Sequence, residues 1–306
     1  MVSRRHLRFF AAVLAAGLAL VASAAEPLLF GSIETTSPAG PVRGWWAKVH
    51  LDNPAVHAGV TEPLVVTAAD PAGTEAKLIP VNEWAAAHGA TLAVNANFFG
   101  LLKPSKPAPG LEDNVHYTTG VAADIRGLSL NDRHVVSPPR VMQDRGDPAL
   151  LILAGRARIA YARDADLEGV LCAVAGIGPD DKHKEPGTLL VEAGRNTGAT
   201  ARVGAKIRHP RTAVGVSADG RTLIILAIDG RQPAHSVGVT LPELADLMID
   251  LSAHDALNLD GGGSTSFYLR RADGSLVTNQ PSDGHWRPVA NHLGIWIDWP
   301  KPPAAK

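Results

Sequence analysis

Cysteine is almost absent from this chain: Cys172 is the single one among 306 residues. One thiol excludes an internal disulfide framework and any cysteine-built zinc or iron–sulfur centre. Aromatic residues are sparse at 5%, and neither sign of charge dominates, with 29 basic against 30 acidic side chains. That balance gives no basic field for nucleic acid and no polybasic face for anionic lipid. Beyond the first 25 residues no apolar run is long enough to span a bilayer. Familiar catalytic signatures are missing too. There is no G-x-S-x-G elbow, no Walker A loop, no G-x-G-x-x-G opening a helix and no H-E-x-x-H. The 12 histidines lie scattered without metal-ligand spacing, so no cofactor and no dedicated metal site are expected.

What is present points to a folded, exported protein. Hydrophobic residues make up 45% and charged residues 19%, enough apolar mass for a core. Arg4, Arg5 and Arg8 precede an apolar stretch over residues 9–22, followed by small-residue cleavage patterns ending at Ala24 and Ala25. This reads as a signal peptide over residues 1–25, too short in its apolar part for a span, with the export route left open. Removal would leave 26 basic against 30 acidic side chains and a soluble periplasmic or secreted protein. Residues 26–300 show no shift in composition and are expected to form one domain, followed by a disordered Pro/Ala tail over 301–306.

Short Val/Ile/Leu-rich runs bounded by Gly, Pro, Asp and Asn predict strands over 45–51, 64–68, 91–94, 149–154, 212–216, 222–228, 256–259, 266–269 and 293–297. The run 223–228 is apolar at every position, as in a central strand covered on both faces. Helices are expected over 81–88, ending at Gly89, and from the capping box Thr240-Leu241-Pro242-Glu243 to about Ala253. The fold class is α+β: a mixed, largely antiparallel sheet domain with few helices. Residues 103–120, with three prolines and two glycines, form a loop long enough to be a lid or a plain surface excursion.

Chemistry concentrates in four places. A short strand ends in Asp260-Gly261-Gly262-Gly263-Ser264-Thr265, where glycines let backbone N–H groups converge on an anion and Asp260 can serve as base or nucleophile or hold a sugar hydroxyl. The alternative is a glycine-rich hairpin with Asp260 capping the turn. Arg211-Thr212 opens one strand and Asp229-Gly230-Arg231 closes its hairpin partner, which brings both arginines to one end of the sheet. The alternative there is a surface ion pair. Asn95-Ala96-Asn97-Phe98-Phe99 follows another strand, and Arg287 sits in the loop before the last one. Cys172, in an apolar stretch, reads as a buried core residue.

Taken in order, N-A-N-F-F, R-T-A-V-G-V, I-D-G-R, V-T-L-P-E-L-A-D-L, L-N-L-D-G-G-G-S-T, T-N-Q-P and R-P-V-A-N-H-L-G-I resemble the phosphodiester glycosidase family, most strongly over residues 91–297. The resemblance implies a cleft lined by these blocks and hydrolysis of a sugar 1-phosphodiester at its glycosidic bond. It assigns Asp260 and Asp229 as candidate catalytic residues. Asn95, Arg211, Thr212, Arg231, Gly261, Gly262, Gly263, Ser264, Thr265 and Arg287 become candidate substrate contacts. Arg211, with Arg231 or Arg287, is expected to clamp the phosphate, while Asn95, Ser264 and Thr265 bond sugar hydroxyls or phosphate oxygens. The expected partner is a glycan or sugar phosphodiester, with no nucleic acid. Two other readings stand beside it: a non-catalytic polysaccharide-binding or export accessory domain, and a phosphodiesterase that cleaves P–O. The sequence says nothing of oligomeric state.

Overall fold

The computed structural model describes residues 26–102, 116–140, 146–162, 167–177 and 187–298. The expected signal peptide, the 301–306 tail and most of the 103–120 loop lie outside the described residues. Among them, every strand pairing is antiparallel. Among the described residues, two α-helices accompany four sheets, of seven, five, five and three strands. The α+β class with a predominantly antiparallel framework therefore holds.

The seven-stranded sheet organises the molecule. Its order is Leu28–Ser37, Gly40–His50, Thr222–Ile228, Arg211–Val216, Asp255–Asn258, Leu189–Glu192, Arg195–Asn196. Strand Thr222–Ile228 is the doubly covered one. Leu223, Ile225 and Ala227 enter the main core, whereas Ile224, Leu226 and Ile228 pack on the opposite face. That second face is closed by helix α2 (Leu241–Asp250), which supplies Leu241, Leu244, Ala245 and Met248. The main core continues into the sheets built around Asp147–Leu153 and Leu92–Asn95, and it includes Cys172. Burial pushes the Cys172 thiol up to about 12, so it stays protonated. Each fully buried Leu or Ile in these layers contributes about 1.5–3 kcal/mol.

Helix boundaries follow their caps. Helix α1 spans Val81–His88 and ends at Gly89 in the left-handed region, φ 66°. Helix α2 has the expected capping box: Thr240 Oγ1 accepts from the Glu243 amide and Glu243 Oε2 accepts from the Thr240 amide. It stops at Asp250, short of the expected Ala253. Ser252 takes φ 74°, and the Ser252 and Ala253 amides turn back to the Ile249 and Met248 carbonyls. This is a Schellman closure on a residue other than glycine, so the usual sequence signal for a stop is missing. The expected strand over 64–68 does not form. Val65 and Val66 are exposed, and no strand pairs with that segment among the described residues. A β-branched run without a partner edge has nowhere to place its hydrogen bonds.

The topology gathers chemistry at one end of the large sheet. Arg211 pairs with Ile228 and Ala213 with Asn258, so the start of one strand lies beside the ends of its two neighbours. Asp229 follows one of those ends directly, and Asp260 comes one residue after Leu259 at the other. Strand Leu92–Asn95, in another sheet, closes on the same region through Asn95.

Candidate active site

Asn95 is the knot that joins the blocks. Its side chain is fully buried: Nδ2 donates to the Asp260 carbonyl at 2.6 Å, while Oδ1 accepts from Thr212 Oγ1 at 2.7 Å and from the Ser266 amide at 3.0 Å. Three segments remote in sequence are thus fixed by one amide. Asn95 and Thr212 hold Asp260 and the turn after it, and both are buried away from the surface where the resemblance implied substrate contacts. Asn97 acts in the same way, deeper in the core. It donates to the Arg126 and Leu128 carbonyls at 3.1 Å and accepts from the Ala175 amide and Asn291 Nδ2.

Arg211 also differs from expectation. It is 2% exposed, and its guanidinium donates to the carbonyls of Val203, Gly204 and Ile207 at 2.9–3.0 Å, with Nε reaching Val239 at 3.5 Å. Burial, helped by Arg231, lowers it to about 10, so it remains charged at neutral pH. With its fork committed to four carbonyls, Arg211 braces the 203–207 loop instead of clamping a phosphate.

The glycine turn spends most of its amides within the chain. The Gly261 amide donates to Asp260 Oδ1 at 2.9 Å, and the Gly262 amide to the Pro210 carbonyl at 2.9 Å. The Ser264 and Thr265 amides close the turn on Gly261 and Gly262. The glycines serve close approach. A Cβ on Gly262, where φ is 61°, would lie 2.9 Å from an Arg231 guanidinium nitrogen. A Cβ on Gly263 would overlap the Arg287 guanidinium and the Asp283 carboxylate. Two arginines can therefore lie against the turn only because it carries no side chains.

Asp260 sits among them. Burial pushes its carboxyl up to about 6, opposed by the Ser264 hydroxyl, the Gly261 amide and the charges of Arg287 and Arg126. Arg287 is anchored by Asp283 Oδ2, at 2.9 Å from Nε and 2.6 Å from a terminal nitrogen, and lies 4.3 Å over the Tyr117 ring. Tyr117, from the end of the 103–120 loop, packs edge-on against Phe99. Arg231 bonds His209 Nδ1 at 3.3 Å. Burial, then Arg211 and Arg231, lowers His209, so the imidazole is neutral and accepts that bond. Thr265 Oγ1 is buried without a hydrogen-bond partner among the described residues.

Asp229 occupies a neighbouring recess. Its carboxylate is 3% exposed and accepts from His235 Nε2 at 2.9 Å, Asn279 Nδ2 at 3.0 Å and the Gln280 amide at 3.2 Å on both oxygens. Burial outweighs these bonds and raises its proton affinity. Both oxygens are occupied, so Asp229 is not presented to a sugar as a free nucleophile. Asn279 also donates to the Thr265 carbonyl, which ties the recess to the glycine turn. A cavity of about 630 Å³ opens here, lined by Arg43, Trp45, Asp229, His235, Gln280 and Trp286 among others. The sequence did not single out His235, Arg126 or Asn291. Asn279 and Asn291 stood within recognised blocks, while His235 followed the I-D-G-R block by four positions without a signal of its own.

The model of the phosphodiester glycosidase family matches residues 88–296, about two thirds of the chain. The chain belongs to the phosphodiester glycosidase family. It is 36% identical over 77 residues to N-acetylglucosamine-1-phosphodiester alpha-N-acetylglucosaminidase of Bos taurus, an alignment covering 25% of this chain and 14% of that protein. A second relative, the SPbeta prophage-derived uncharacterized protein YomE of Bacillus subtilis, is 37% identical over 89 residues, 29% of this chain and 13% of that one. The chain thus matches about a seventh of the length of these curated relatives. Its fold is similar to the zebrafish N-acetylglucosamine-1-phosphodiester alpha-N-acetylglucosaminidase catalytic domain auto-inhibited by its pro-peptide. That comparison gives a TM-score of 0.58 at 21% identity, with 90% of this chain and 85% of that chain covered. Among the described residues, no helix of this family member is long and apolar enough to cross a membrane.

Proposed function

We propose that this phosphodiester glycosidase hydrolyses the glycosidic bond of a sugar 1-phosphodiester. Water supplies the hydroxyl to the anomeric carbon, the C1–O bond breaks, and free sugar and a phosphate monoester leave. The observation that carries this reading is Asp260, raised to about 6 beside guanidinium groups that the turn's glycines admit. A phosphate leaves more readily than an alkoxide, so its departure depends more on charge neutralisation than on a strong acid. Arg231 and Arg287 supply that charge at the mouth of the turn, with Arg126 adding to the field at Asp260. Asp260, with a proton affinity near neutrality, exchanges the proton at the scissile oxygen. Asn95, Thr212 and Arg211 hold this geometry from behind.

The N-terminal pattern supports action outside the cytoplasm after signal removal, in the periplasm or the medium. A glycan-linked or nucleotide-linked sugar phosphodiester is the substrate class.

The test uses purified mature protein and UDP-N-acetylglucosamine with several other sugar 1-phosphodiesters, products being resolved by chromatography. Release of free sugar, lost in Asp260→Asn and unaffected by chelator, supports the proposal. Sugar phosphate as product would move the cleavage to P–O. Binding without any product would make the chain a glycan-binding domain.

A further inference from the structure

The proposed reaction needs a group that takes a proton from the attacking water, and Asp229 is poorly placed to do it, since both its oxygens are already bonded. The neighbouring histidine is better placed. His235 Nε2 lies 2.9 Å from Asp229 Oδ2, and the imidazole is 32% exposed while the carboxylate is 3% exposed. A buried carboxylate accepting from Nε2–H fixes the tautomer and the ring plane, and it leaves the lone pair on Nδ1. No hydrogen bond to Nδ1 is made among the described residues. His235 lines the 630 Å³ cavity together with Trp45 and Trp286, and the residue after Trp286, Arg287, lies against Gly263. Asn279 also lines the cavity and is the residue that connects it to the turn carrying Asp260. Asn279, bonded to both Asp229 and the Thr265 carbonyl, fixes the recess to that turn.

We infer that His235, oriented by Asp229, is the general base of the hydrolysis, with Nδ1 accepting a proton from the water that attacks the anomeric carbon. Asp229 is a positioning residue, and the 630 Å³ cavity is where the sugar ring lies. The balance closes without a co-reactant. Water gives its proton to His235 Nδ1 and its hydroxyl to C1, the C1–O electron pair leaves on the phosphate monoester, whose oxygen takes the Asp260 proton, and His235 then returns its proton to solvent while Asp260 regains one from it. This inference rests on the hydrolase reading above.

The experiment compares wild type, His235→Gln, His235→Ala, Asp229→Asn, the Asp229→Asn/His235→Ala double variant and Asp260→Asn on whichever sugar 1-phosphodiester the wild type cleaves. Thermal midpoints confirm folding. The glutamine amide keeps an N–H for Asp229 but cannot take up a proton. His235→Gln is therefore expected to stay folded and lose about 10²–10³-fold in kcat with KM little changed. Added imidazole should restore some of the kcat of His235→Ala, because the site is open enough to admit it. The double variant should be no slower than the slower single one, as for groups acting as a unit. A folded His235→Gln with wild-type kcat, a loss confined to KM, or absence of imidazole rescue would overturn the base assignment while leaving the hydrolase reading intact. A wild type that frees no sugar would overturn both.

Discussion

Arg211 and Arg287 are the same residue type and belong to the same set of sequence blocks, yet they do opposite things. Arg211 is 2% exposed and gives its donors to four carbonyls. Arg287 has a side chain 21% exposed, held by one carboxylate and a tyrosine ring against Gly263. The same division separates Asn95 and Thr212 from Asp260 and Arg231. One group is a buried polar scaffold in which each bond is made within the protein. The other is a cationic face around a carboxyl whose charge burial disfavours. Buried polar networks contribute when fully satisfied and cost heavily when opened. The scaffold should therefore answer mutation through stability, and the face through turnover.

The largest effect expected is at Asp260. Asp260→Asn should reduce kcat by about 10³-fold or more. Its thermal midpoint at pH 8 should equal or exceed that of wild type, because the change removes a carboxylate that burial penalises. A lower midpoint would place Asp260 in the scaffold. Next comes Arg211→Met, which leaves four carbonyls without their donor; it should destabilise the fold by about 3–5 kcal/mol in urea unfolding. A variant of normal stability with only a raised KM would instead restore the phosphate clamp read from the sequence.

Arg287→Ala should invert that pattern, with stability within about 1 kcal/mol of wild type and kcat/KM down by about 10–100-fold. Gly263→Ala sharpens the same point. Its methyl would meet the far end of the Arg287 side chain, which can move aside, so activity should fall toward that of Arg287→Ala at a small cost in stability. Gly261→Ala meets the Pro210 carbonyl at 2.8 Å instead, a rigid neighbour, and should show as a stability loss.

The smallest effects are in pH dependence. Asp260 has a native proton affinity raised from 3.8 to about 6, so the folded state holds a proton the unfolded chain has lost. That contribution is complete below about pH 3.8 and disappears as pH rises through 6. His292 has the opposite sign. Burial lowers it from 6.5 to about 3, where it donates to the Ile79 carbonyl, accepts from Thr61 and stacks on Trp84. Its contribution is complete above about pH 6.5 and is lost as pH falls toward 3. Thermal midpoints of wild type and Asp260→Asn across pH 4–8 should diverge between pH 4 and 6, the variant keeping the trends of His292 and the other shifted groups. Parallel curves would remove the raised affinity of Asp260.

Much of the architecture was legible because it is written in local chemistry. The all-apolar run 223–228 could only be a strand covered on both sides, and the Thr240–Glu243 box could only start a helix. The stop of that helix was not legible, since Ser252 adopts a left-handed turn that serine rarely signals. Nor was the absence of a strand at 64–68, because pairing depends on an edge that sequence neighbours do not provide. At the site, the blocks containing Asp260, Arg231, Arg287 and Asn95 could be picked out by residue type and order. His235 could not, since a lone histidine becomes informative only when a buried carboxylate faces it.

The sequence by itself determined which blocks are candidates for the site, through the placement of aspartates, arginines and glycines at strand ends, though not His235. Only the tertiary structure decided which members face inward. Whether an arginine finds carbonyls or open space, and whether a glycine turn spends its amides on an anion or on its own chain, depends on groups brought in from distant positions, such as Asn95 against Asp260 and Arg211 against Val239. Hydrogen-bond saturation is a property of the packed neighbourhood, and that neighbourhood separates scaffold from reacting face.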